Sequence, residues 1–494
     1  MTRGILYHVR LRRVSKWYHR PQSPPSPMRV LFVITNINGT YGDAYSFGLA
    51  SIASVAREKG WEYDYAVINT REELEAFCRK TAARPPRLVA YTAVSSQFSF
   101  VKEISAKVRS ACPEGVVQVC GGVHPTIFPG CALEAPSLDG IFIGECDLAF
   151  ADFLDSLSAG RSFKEVRNFA HVEAGALRKN PFYPLLESLA ALPFPERERY
   201  GYQRFIEKDG YAHFMFSRGC PFNCSYCSNH AIARVYGRHS NKPRYRSPER
   251  CIEEIRELSR RYSFQKVFVG DDTFGLDRAW TREFCGLYAR EIGLPLVCQL
   301  RVNIVEEGLL ADLRRAGCVY VSCGVESGNE RMRNQVMKRN ISDRQIVDAY
   351  ALFKRYGMRA NAINMIGLPH EDEDMIRDTI ALNRRIRPDS SGVNIFYPYR
   401  GTELGDRCFA EGLVDEAAYS NFSQERRDSV LKFSPEFKEK LRYYQENWEL
   451  LVFAHRPLKL GRVWLPRFMQ QHFPSVWDRA RSLKRSLSGR RGPA

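Results

Sequence analysis

Hydrophobic and polar positions divide the first third of the chain into two kinds of segment. Short apolar runs predict buried strands, and apolar residues spaced by three and four positions predict amphipathic helices between them. Strands are predicted at residues 28–34, 63–67, 87–93, 116–119 and 141–143. Strands that alternate with helices in this way favour a doubly wound parallel sheet, whose ligand site lies at the carboxyl ends of its strands.

The same alternation continues through the middle of the chain. Six further strands are predicted at residues 211–217, 266–269, 296–300, 319–323, 360–366 and 393–397. Helix-start signals fall between them: Ser247 precedes Pro248 as an N-cap precedes a first-turn proline, and Ser342 with Gln345 fits a capping box. Six βα units predict a partial (β/α)6 barrel of the TIM type.

The resulting fold class is α/β with several domains, as expected for 494 residues. The predicted parts are a basic disordered extension at 1–27, a Rossmann-like domain at 28–165, a linker at 166–205, the partial barrel at 206–415 and a helical C-terminal region with a basic tail at 416–494.

The net charge of +17 lies mainly at the two ends of the chain. Residues 1–27 contain six Lys and Arg and no acidic residue, and residues 455–494 contain ten with a single aspartate. Because the body is nearly neutral, we expect no nucleic-acid partner. The sequence also lacks an apolar run of 18 residues and a secretory leader, so neither a membrane span nor export is predicted.

Three cysteines in a CxxxCxxC spacing, Cys220, Cys224 and Cys227, follow the first strand of the predicted barrel. Three thiolates can hold three irons of a cubane cluster and leave the fourth iron open for chemistry. A structural zinc site with His230 as the fourth ligand is the alternative. The other eleven of the 14 cysteines show no framework spacing, which predicts reduced thiols and a cytoplasmic location.

Polar residues also follow the remaining barrel strands, at the end where such barrels carry their active sites. We expect Asp271, Asp272 and Arg301 to line the mouth of the barrel. Further candidates for substrate or cofactor contact follow the sixth strand, namely Tyr397, Tyr399 and Arg400.

From residue 214 to about residue 414 the sequence resembles the catalytic core of radical S-adenosylmethionine enzymes, with aromatic Tyr226 just before the third cysteine. The resemblance implies a 4Fe-4S cluster on the three cysteines that cleaves S-adenosylmethionine to a 5′-deoxyadenosyl radical. Gly270, Asp271 and Asp272 match the motif that receives the amino group of this cosubstrate, although many members have Gly-Glu there. Glu326, with Ser327 beside it, matches the polar residue near the ribose, and Ile366 with Gly367 matches the backbone beside adenine.

The strand ends of the first domain are similar to the cobalamin-binding domain that precedes many radical cores. They carry Ser95, Ser96, Gly121, Gly122, His124, Thr126, Gly144 and Glu145. The usual lower-ligand motif, DxHxxG, is absent from the loop at residues 36–43. Cobalamin then binds without a histidine on cobalt, or the domain has lost it; we favour binding and expect His124 to be a hydrogen-bonding loop residue.

Together these resemblances imply an enzyme that methylates an unactivated carbon of a small-molecule or lipid substrate. They imply electrons from a donor such as flavodoxin or ferredoxin. Three alternatives remain at this point: an oxidative cyclase or rearrangement enzyme with the same cofactors, a tRNA methylthiotransferase, and a non-enzymatic metal- or corrinoid-binding module.

The C-terminal tail interleaves aromatic and basic side chains. Trp464, Phe468, Phe473 and Trp477 alternate with arginines and lysines. This composition suits a helix on an anionic membrane surface, and it equally suits a helical lid docked over the barrel. The preceding residues, 421–453, are predicted to form a helical cap that contributes to the substrate pocket.

Overall fold

The fold is described from a computed structural model that covers residues 28–37, 45–112, 114–238, 242–420, 425–472 and 476. The predicted extension at 1–27, most of the loop at 36–43, and Phe473 with Trp477 lie outside these described residues.

The first domain is built on a seven-stranded sheet. Its strands are β1 Arg29–Thr35, β2 Glu62–Ile68, β3 Leu88–Thr92, β4 Val117–Gly121, β5 Gly140–Phe142, β6 Phe169–Glu173 and β7 Ala176–Lys179. The strand order is β2-β1-β3-β4-β5-β6-β7, in which the first five strands run parallel and the last two antiparallel. This arrangement confirms the predicted doubly wound sheet.

The predicted linker at 166–205 is wrong at its start, because β6 and β7 extend the first sheet. A two-residue turn joins them, in which Ala174 has φ 48° and Gly175 has φ 78°. Positive φ at both positions is the turn geometry that suits the twist of a tight hairpin. The short strands carry exposed Glu173 and Lys179 and give little apolar signal.

Helices cover both faces of this sheet. They are Phe47–Glu58, Arg71–Ala83, Phe98–Ala111, Val123–Ile127 and Asp147–Ser158, with 3₁₀ turns at Ser95–Gln97 and Pro129–Glu134. Ser46 and Thr70 cap the first two, each accepting a hydrogen bond from a backbone N–H three residues later. Buried apolar residues lie on both sides of the sheet, so the strands are nearly continuous hydrophobic runs.

The second domain is a six-stranded parallel sheet with its strands in sequence order. The strands are β8 Tyr211–Phe214, β11 Lys266–Val269, β12 Leu296–Leu300, β13 Cys318–Glu326, β14 Arg359–Ile366 and β15 Ser390–Ile395. Two short strands, β9 Ser217–Arg218 and β10 Arg244–Tyr245, form a separate antiparallel pair. The partial barrel is therefore confirmed, while its first strand ends at Phe214, earlier than predicted.

The helices of this domain alternate with its strands. They are Gln203–Asp209, Ser228–Val235, Pro248–Ser259, Arg278–Glu291, Glu307–Arg315, Asp343–Arg355, Glu373–Ile386, Glu403–Ala410 and Glu416–Ser420, with a 3₁₀ turn at Val302–Ile304 and a π turn at Met332–Val336. Ser247 caps its helix as predicted, and both hydrogen bonds of the capping box between Ser342 and Gln345 are present.

The helix Pro435–Phe453 covers the open edge of the barrel at β15, where the Trp448 indole donates to Ser391 Oγ at 2.8 Å. The next helix, Pro457–His472, begins where Arg456 donates to the Pro388 carbonyl at 3.1 Å. Pro388 precedes β15, so this helix begins at the end of the barrel opposite the cysteine loop. The first turn of the predicted lid therefore does not cover the mouth. Within the described part of the chain, no helix is long and apolar enough to cross a membrane.

Candidate active site

The three cysteines lie on a loop that follows β9 and ends at the helix Ser228–Val235. Cys220 and Cys224 are buried and Cys227 is half-buried. Ser225 anchors the loop, since its N–H donates to the Met337 carbonyl at 3.1 Å and its hydroxyl to the Val336 carbonyl at 2.7 Å. Burial raises the pKa of the Cys227 thiol to about 12.

Arg301 is buried behind this loop and does not line an open mouth. Its Nη1 donates to Cys224 Sγ at 3.0 Å, and its Nη2 donates to the Arg339 carbonyl at 2.7 Å. The guanidinium stacks 3.9 Å from the ring centre of Phe222. Arg301 therefore fixes the position and charge environment of one cluster thiol.

The two aspartates at the end of β11 face different ways. Asp271 is fully buried and accepts hydrogen bonds from Phe216 N at 2.7 Å and from Ser217 N and Oγ at 3.2 and 2.7 Å. Burial raises its pKa to about 7 against these hydrogen bonds, which favour the charged form. The prediction that Asp271 lines the mouth is wrong, because its carboxylate holds the start of the cysteine loop.

Asp272 is exposed beside the cysteine loop. The side chain of Asn229 and the backbone of Gly219 lie at its carboxylate. Next to it, Thr273 Oγ1 lies 3.6 Å from Cys220 Sγ. Of the two acids, Asp272 is therefore the one available to a cosubstrate at the cluster.

The zinc alternative depends on the position of His230. His230 Nε2 lies 3.8 Å from Glu403. Among the described residues, no group of three or more His, Cys, Asp and Glu side chains converges closely enough to hold one metal ion.

A polar network links the cysteine loop to the end of β13. Arg339 is buried, and its Nη1 donates to the Tyr226 hydroxyl at 2.7 Å and pairs with Glu326 Oε1 at 3.4 Å. Burial raises the pKa of Glu326, and the positive charge of Arg339 opposes this. Glu326 has φ 68°, a strained conformation for a non-glycine residue that orients its side chain at the strand end.

The other predicted contacts of S-adenosylmethionine differ in their accessibility. The Ser327 hydroxyl is buried in a local turn with Asn329. Ile366 is fully buried, and Gly367 adopts φ 76° while its N–H donates to the buried Glu371 carboxylate. The Ile366 carbonyl also accepts from the Phe396 N–H at 2.8 Å, so the backbone groups at Ile366 and Gly367 that the resemblance assigns to adenine already have partners within the protein.

A cavity of about 440 Å³ lies between the two domains, and we call it the interdomain cavity. The barrel contributes Tyr226, Cys227, Ser228, Glu326, Ile363, Asn364, Met365, Asn394, Ile395, Phe396, Tyr397, Tyr399 and Thr402, and the segment after it contributes Glu425 and Arg426. The first domain contributes Val94, Ser95, Val123 and Ile127. Val94 and Val123 are each 38% exposed, because they face this cavity at the ends of β3 and β4.

The residues after β15 form one wall of the interdomain cavity. Tyr397 and Tyr399 line it, and the Tyr399 hydroxyl donates to Glu425. Arg400 does not line the cavity; its guanidinium stacks 3.6 Å from the ring centre of Phe409. Glu425 comes from the segment that was predicted to contribute to a pocket, while the helix Pro435–Phe453 covers the barrel edge instead.

A second cavity, of about 230 Å³, lies within the first domain at the carboxyl ends of its strands, and we call it the first-domain cavity. Gly121, Gly122, Gly144 and Glu145 line it together with Arg218 from the barrel. A Cβ on Gly122 would lie 2.8 Å from the Ala93 carbonyl oxygen, and its φ of 104° also requires glycine.

The hydroxyl and imidazole groups near these cavities have separate roles. Thr126 Oγ1 accepts from the Gly144 N–H at 3.0 Å and so joins the loops after β4 and β5. His124 Nδ1 lies 3.0 Å from Ser95 Oγ, which confirms the predicted loop hydrogen bond. Burial lowers the pKa of His124 to about 4. Ser96 Oγ is buried without a partner among the described residues.

Several important residues were missed at the sequence level. Arg339 contacts Tyr226 from 113 positions away in the chain, and Arg218 and Tyr236 contact first-domain residues 71 and 91 positions away. Arg218 and Arg244 both pair with Glu145, so this glutamate joins the two domains rather than facing solvent. Of these residues, Arg218 has a position close to Cys220 in the sequence, and this was the only local indication of a role at the site.

The sequence matches two known families in the regions already described. Residues 214–382 match the radical SAM superfamily, and residues 35–154 match the B12 binding domain. The chain is 30% identical over 389 residues to an uncharacterized methyltransferase of Pyrococcus horikoshii, an alignment that covers 77% of this chain and 82% of that protein. It is 26% identical over 403 residues to the anaerobic magnesium-protoporphyrin IX monomethyl ester cyclase of Rubrivivax gelatinosus, covering 77% and 70%.

The fold also matches a solved structure. The radical S-adenosylmethionine methyltransferase TsrM of Kitasatospora setae superposes with a TM-score of 0.64 at 14% identity, over 78% of this chain and 76% of that one. The chain therefore belongs to the radical SAM superfamily, in the cobalamin-dependent, methyltransferase-like class that carries a B12-binding domain.

The cofactors of this chain are accordingly a 4Fe-4S cluster, S-adenosylmethionine and cobalamin. The residues fit each of them. Three thiols share one buried loop, and Glu326 and Cys227 open onto the interdomain cavity. The glycine-lined first-domain cavity suits the nucleotide tail of a corrinoid, as strand-end loops in doubly wound domains do for other nucleotides.

Proposed function

We propose that this protein methylates an unactivated carbon of a small-molecule or lipid substrate. When bound, the cluster with S-adenosylmethionine supplies a carbon radical that removes hydrogen from a C–H bond, and cobalamin supplies the methyl group. The protein's part is to hold the substrate carbon within reach of both.

The observation that carries this proposal is the shared interdomain cavity. Tyr226 and Cys227 of the cysteine loop form one side of it, and Val94 and Val123 of the first domain form another. A single chamber that both cofactor-binding regions reach is what a transfer between them requires, because reacting groups must be held close together.

The side chains around the chamber divide into polar and apolar groups. Arg339 holds the Tyr226 hydroxyl and the Glu326 carboxylate together at the cysteine side. Ile127 and Phe396 add apolar wall between the domains. The chamber therefore combines polar groups at the cysteine side with an apolar wall between the domains.

The product mass tests the proposal. The reconstituted, anaerobic full chain is incubated with a reductant, an extract of the host and S-adenosylmethionine deuterated on its methyl group. We expect a product in which one hydrogen of the substrate is replaced by a CD₃ group. Cys227→Ala should abolish it, whereas Cys78→Ala, which removes a buried thiol of the first domain far from the cysteine loop, should not. Substrate loss with no labelled product contradicts methylation.

Oxidative cyclisation without net methylation is the second candidate. It is favoured by the 26% identity to the cyclase of Rubrivivax gelatinosus, which extends over both domains. In the same experiment it predicts a product with fewer hydrogens and no deuterium from the methyl group. One mass spectrum of the product therefore distinguishes methylation from oxidative cyclisation.

We further propose that cobalamin binds without a histidine on cobalt. His124 supports this, because it is buried against the ring of Phe98 and engaged with Ser95. Electron paramagnetic resonance of the cob(II)alamin form should then lack nitrogen hyperfine splitting from a protein histidine. His124→Ala should leave the spectrum unchanged.

The reducing electron is proposed to come from flavodoxin or ferredoxin, because the radical class needs a one-electron donor of low potential. Purified flavodoxin with its reductase should support S-adenosylmethionine cleavage in place of a chemical reductant. Cleavage that occurs with the chemical reductant but with neither flavodoxin nor ferredoxin contradicts this proposal.

Contact with an anionic membrane is proposed for the helix Pro457–His472. Leu458, Trp464 and Leu465 are exposed on it by 88%, 49% and 53%. Apolar and aromatic exposure beside basic residues suits binding at a lipid interface. Co-sedimentation with vesicles of anionic phospholipid should fall when residues 456–494 are removed, and equal binding of both chains contradicts the proposal.

A further inference from the structure

The segment that carries the three cysteines is attached to the first domain at its beginning. Arg218, two residues before Cys220, pairs with Asp147 through contacts of 2.6 and 3.1 Å and with Glu145 at 3.3 Å. Its Nη2 also donates to Ser51 Oγ at 3.0 Å, and Ser51 donates to Asp147 at 2.6 Å. A bidentate pair between a half-buried arginine and a buried carboxylate is geometrically specific.

The same segment is attached at its other end. The helix after Cys227 finishes at Tyr236, whose hydroxyl accepts from the Glu145 N–H at 2.8 Å and from Asn168 Nδ2 at 3.4 Å. The Tyr236 ring lies so close to Gly144 that a Cβ there would overlap it. Both ends of the segment 218–236 therefore meet at one short loop, residues 144–147.

This loop is also a wall of the first-domain cavity. Residues 144–147 all line that cavity, and Arg218 lines it beside them. On its other side, the strand of Arg218 is held to the barrel by Ser217, which donates to Asp271. A ligand that enters or leaves this cavity therefore affects the same side chains that hold the cysteine segment in place.

We propose that residues 144–147 couple the two cofactor sites, so that a corrinoid in the first-domain cavity and a cluster on the cysteine segment each stabilise the binding of the other. Arg218 and Tyr236 are positioning residues in this device, because they act through the loop rather than on reacting atoms. The coupling is reciprocal, since each cofactor changes the affinity for the other by the same factor.

Equilibrium binding tests the coupling without substrate and without methyl transfer, so its outcome is independent of the proposed reaction. Hydroxocobalamin is titrated into the anaerobic full chain, once free of metal and once with the cluster reconstituted, and its binding is followed by absorbance. We expect the cluster to tighten binding by roughly 5- to 150-fold, the usual range of coupling between sites. Corrinoid-loaded protein should in turn keep its iron at higher chelator concentrations.

Variants identify the residues that carry the effect. Arg218→Gln and Tyr236→Phe should reduce the affinity ratio towards one, and Arg218→Lys should restore part of it. Arg109→Gln is the matched control, because it breaks an arginine–aspartate pair of the first domain at 2.7 Å that does not touch the loop. If Arg218→Gln fails to fold, Tyr236→Phe carries the test.

Two results would overturn the proposal. One is equal hydroxocobalamin affinity in metal-free and cluster-loaded wild-type protein. The other is an unchanged ratio in Tyr236→Phe and Arg218→Gln, which would give these residues a role in stability alone.

Discussion

Replacing Arg301 by glutamine should lower the reduction potential of the cluster. Arg301 Nη1 donates to Cys224 Sγ at 3.0 Å from a fully charged guanidinium. A cluster gains negative charge on its sulfur ligands when it is reduced, so a positive donor favours the reduced form. Removing the charge removes that preference.

The size of the effect follows from the energy of such a contact. A hydrogen bond to a charged group contributes about 1.5–3 kcal/mol. If roughly half of it distinguishes the reduced from the oxidised cluster, the one-electron potential falls by roughly 30–60 mV, at 59 mV for each 1.4 kcal/mol. Arg301→Lys keeps the charge but loses the stacking on Phe222 and the second contact to Arg339, so a smaller fall is expected.

The assay is a redox titration of the reconstituted, anaerobic protein, with the reduced cluster monitored by electron paramagnetic resonance. Iron and sulfide content are measured on the same samples, so that partial cluster loss is separated from a shift in potential. Arg250→Gln, at an exposed pair with Glu253, is the control and should leave the potential unchanged. An unchanged potential in Arg301→Gln at full cluster content would refute the electrostatic role of Arg301.

Two further predictions concern stability, and a third concerns the fit between the two domains. The pKa of Asp147 is lowered to about 2, because its pairing with Arg218 outweighs the effect of burial. Asp147→Asn should therefore lower the free energy of unfolding by roughly 2–3 kcal/mol, measured by urea unfolding at pH 7. This contribution is present above about pH 4 and is lost as the pH falls through about 2. Burial lowers the pKa of His124 to about 4, so as the pH falls the imidazole is protonated in the unfolded chain before it is protonated in the folded one. Stability should therefore fall between about pH 6.5 and 4. His124→Asn should reduce this pH dependence of stability, measured by thermal unfolding. Gly401→Ala would place a Cβ onto the Ile127 carbonyl oxygen at the domain junction, and should increase the radius measured by small-angle scattering, while Gly412→Ala, with open space around it, should not.

Local signals predicted the secondary structure well. The caps at Ser247 and Ser342 lie where the sequence expects helices to begin. These features depend on residues within one turn of each other, so no tertiary information is needed. The hairpin at 169–179 was missed because its short strands carry mixed polar residues and gain their stability only by joining β5.

The orientation of individual side chains was less accessible. Asp271 and Asp272 are adjacent and chemically identical, yet one is buried under the cysteine loop and the other faces outward. Successive side chains at a strand end point to opposite faces, and the register that decides which face is inward is set by packing. Arg339 could not be assigned at all, because its partners lie 113 and 13 residues away along the chain.

The sequence alone determined the order of elements, the two βα-type domains, and the set of three thiols whose spacing suits an iron–sulfur cluster. Those properties are encoded in short-range spacing. Only the tertiary structure decided that both domains open onto one chamber, and that Arg218 and Tyr236 attach the cysteine segment to the loop at residues 144–147. The physical reason is that such contacts join residues about 70 to 90 positions apart, and the chain brings them together only when both cores are packed.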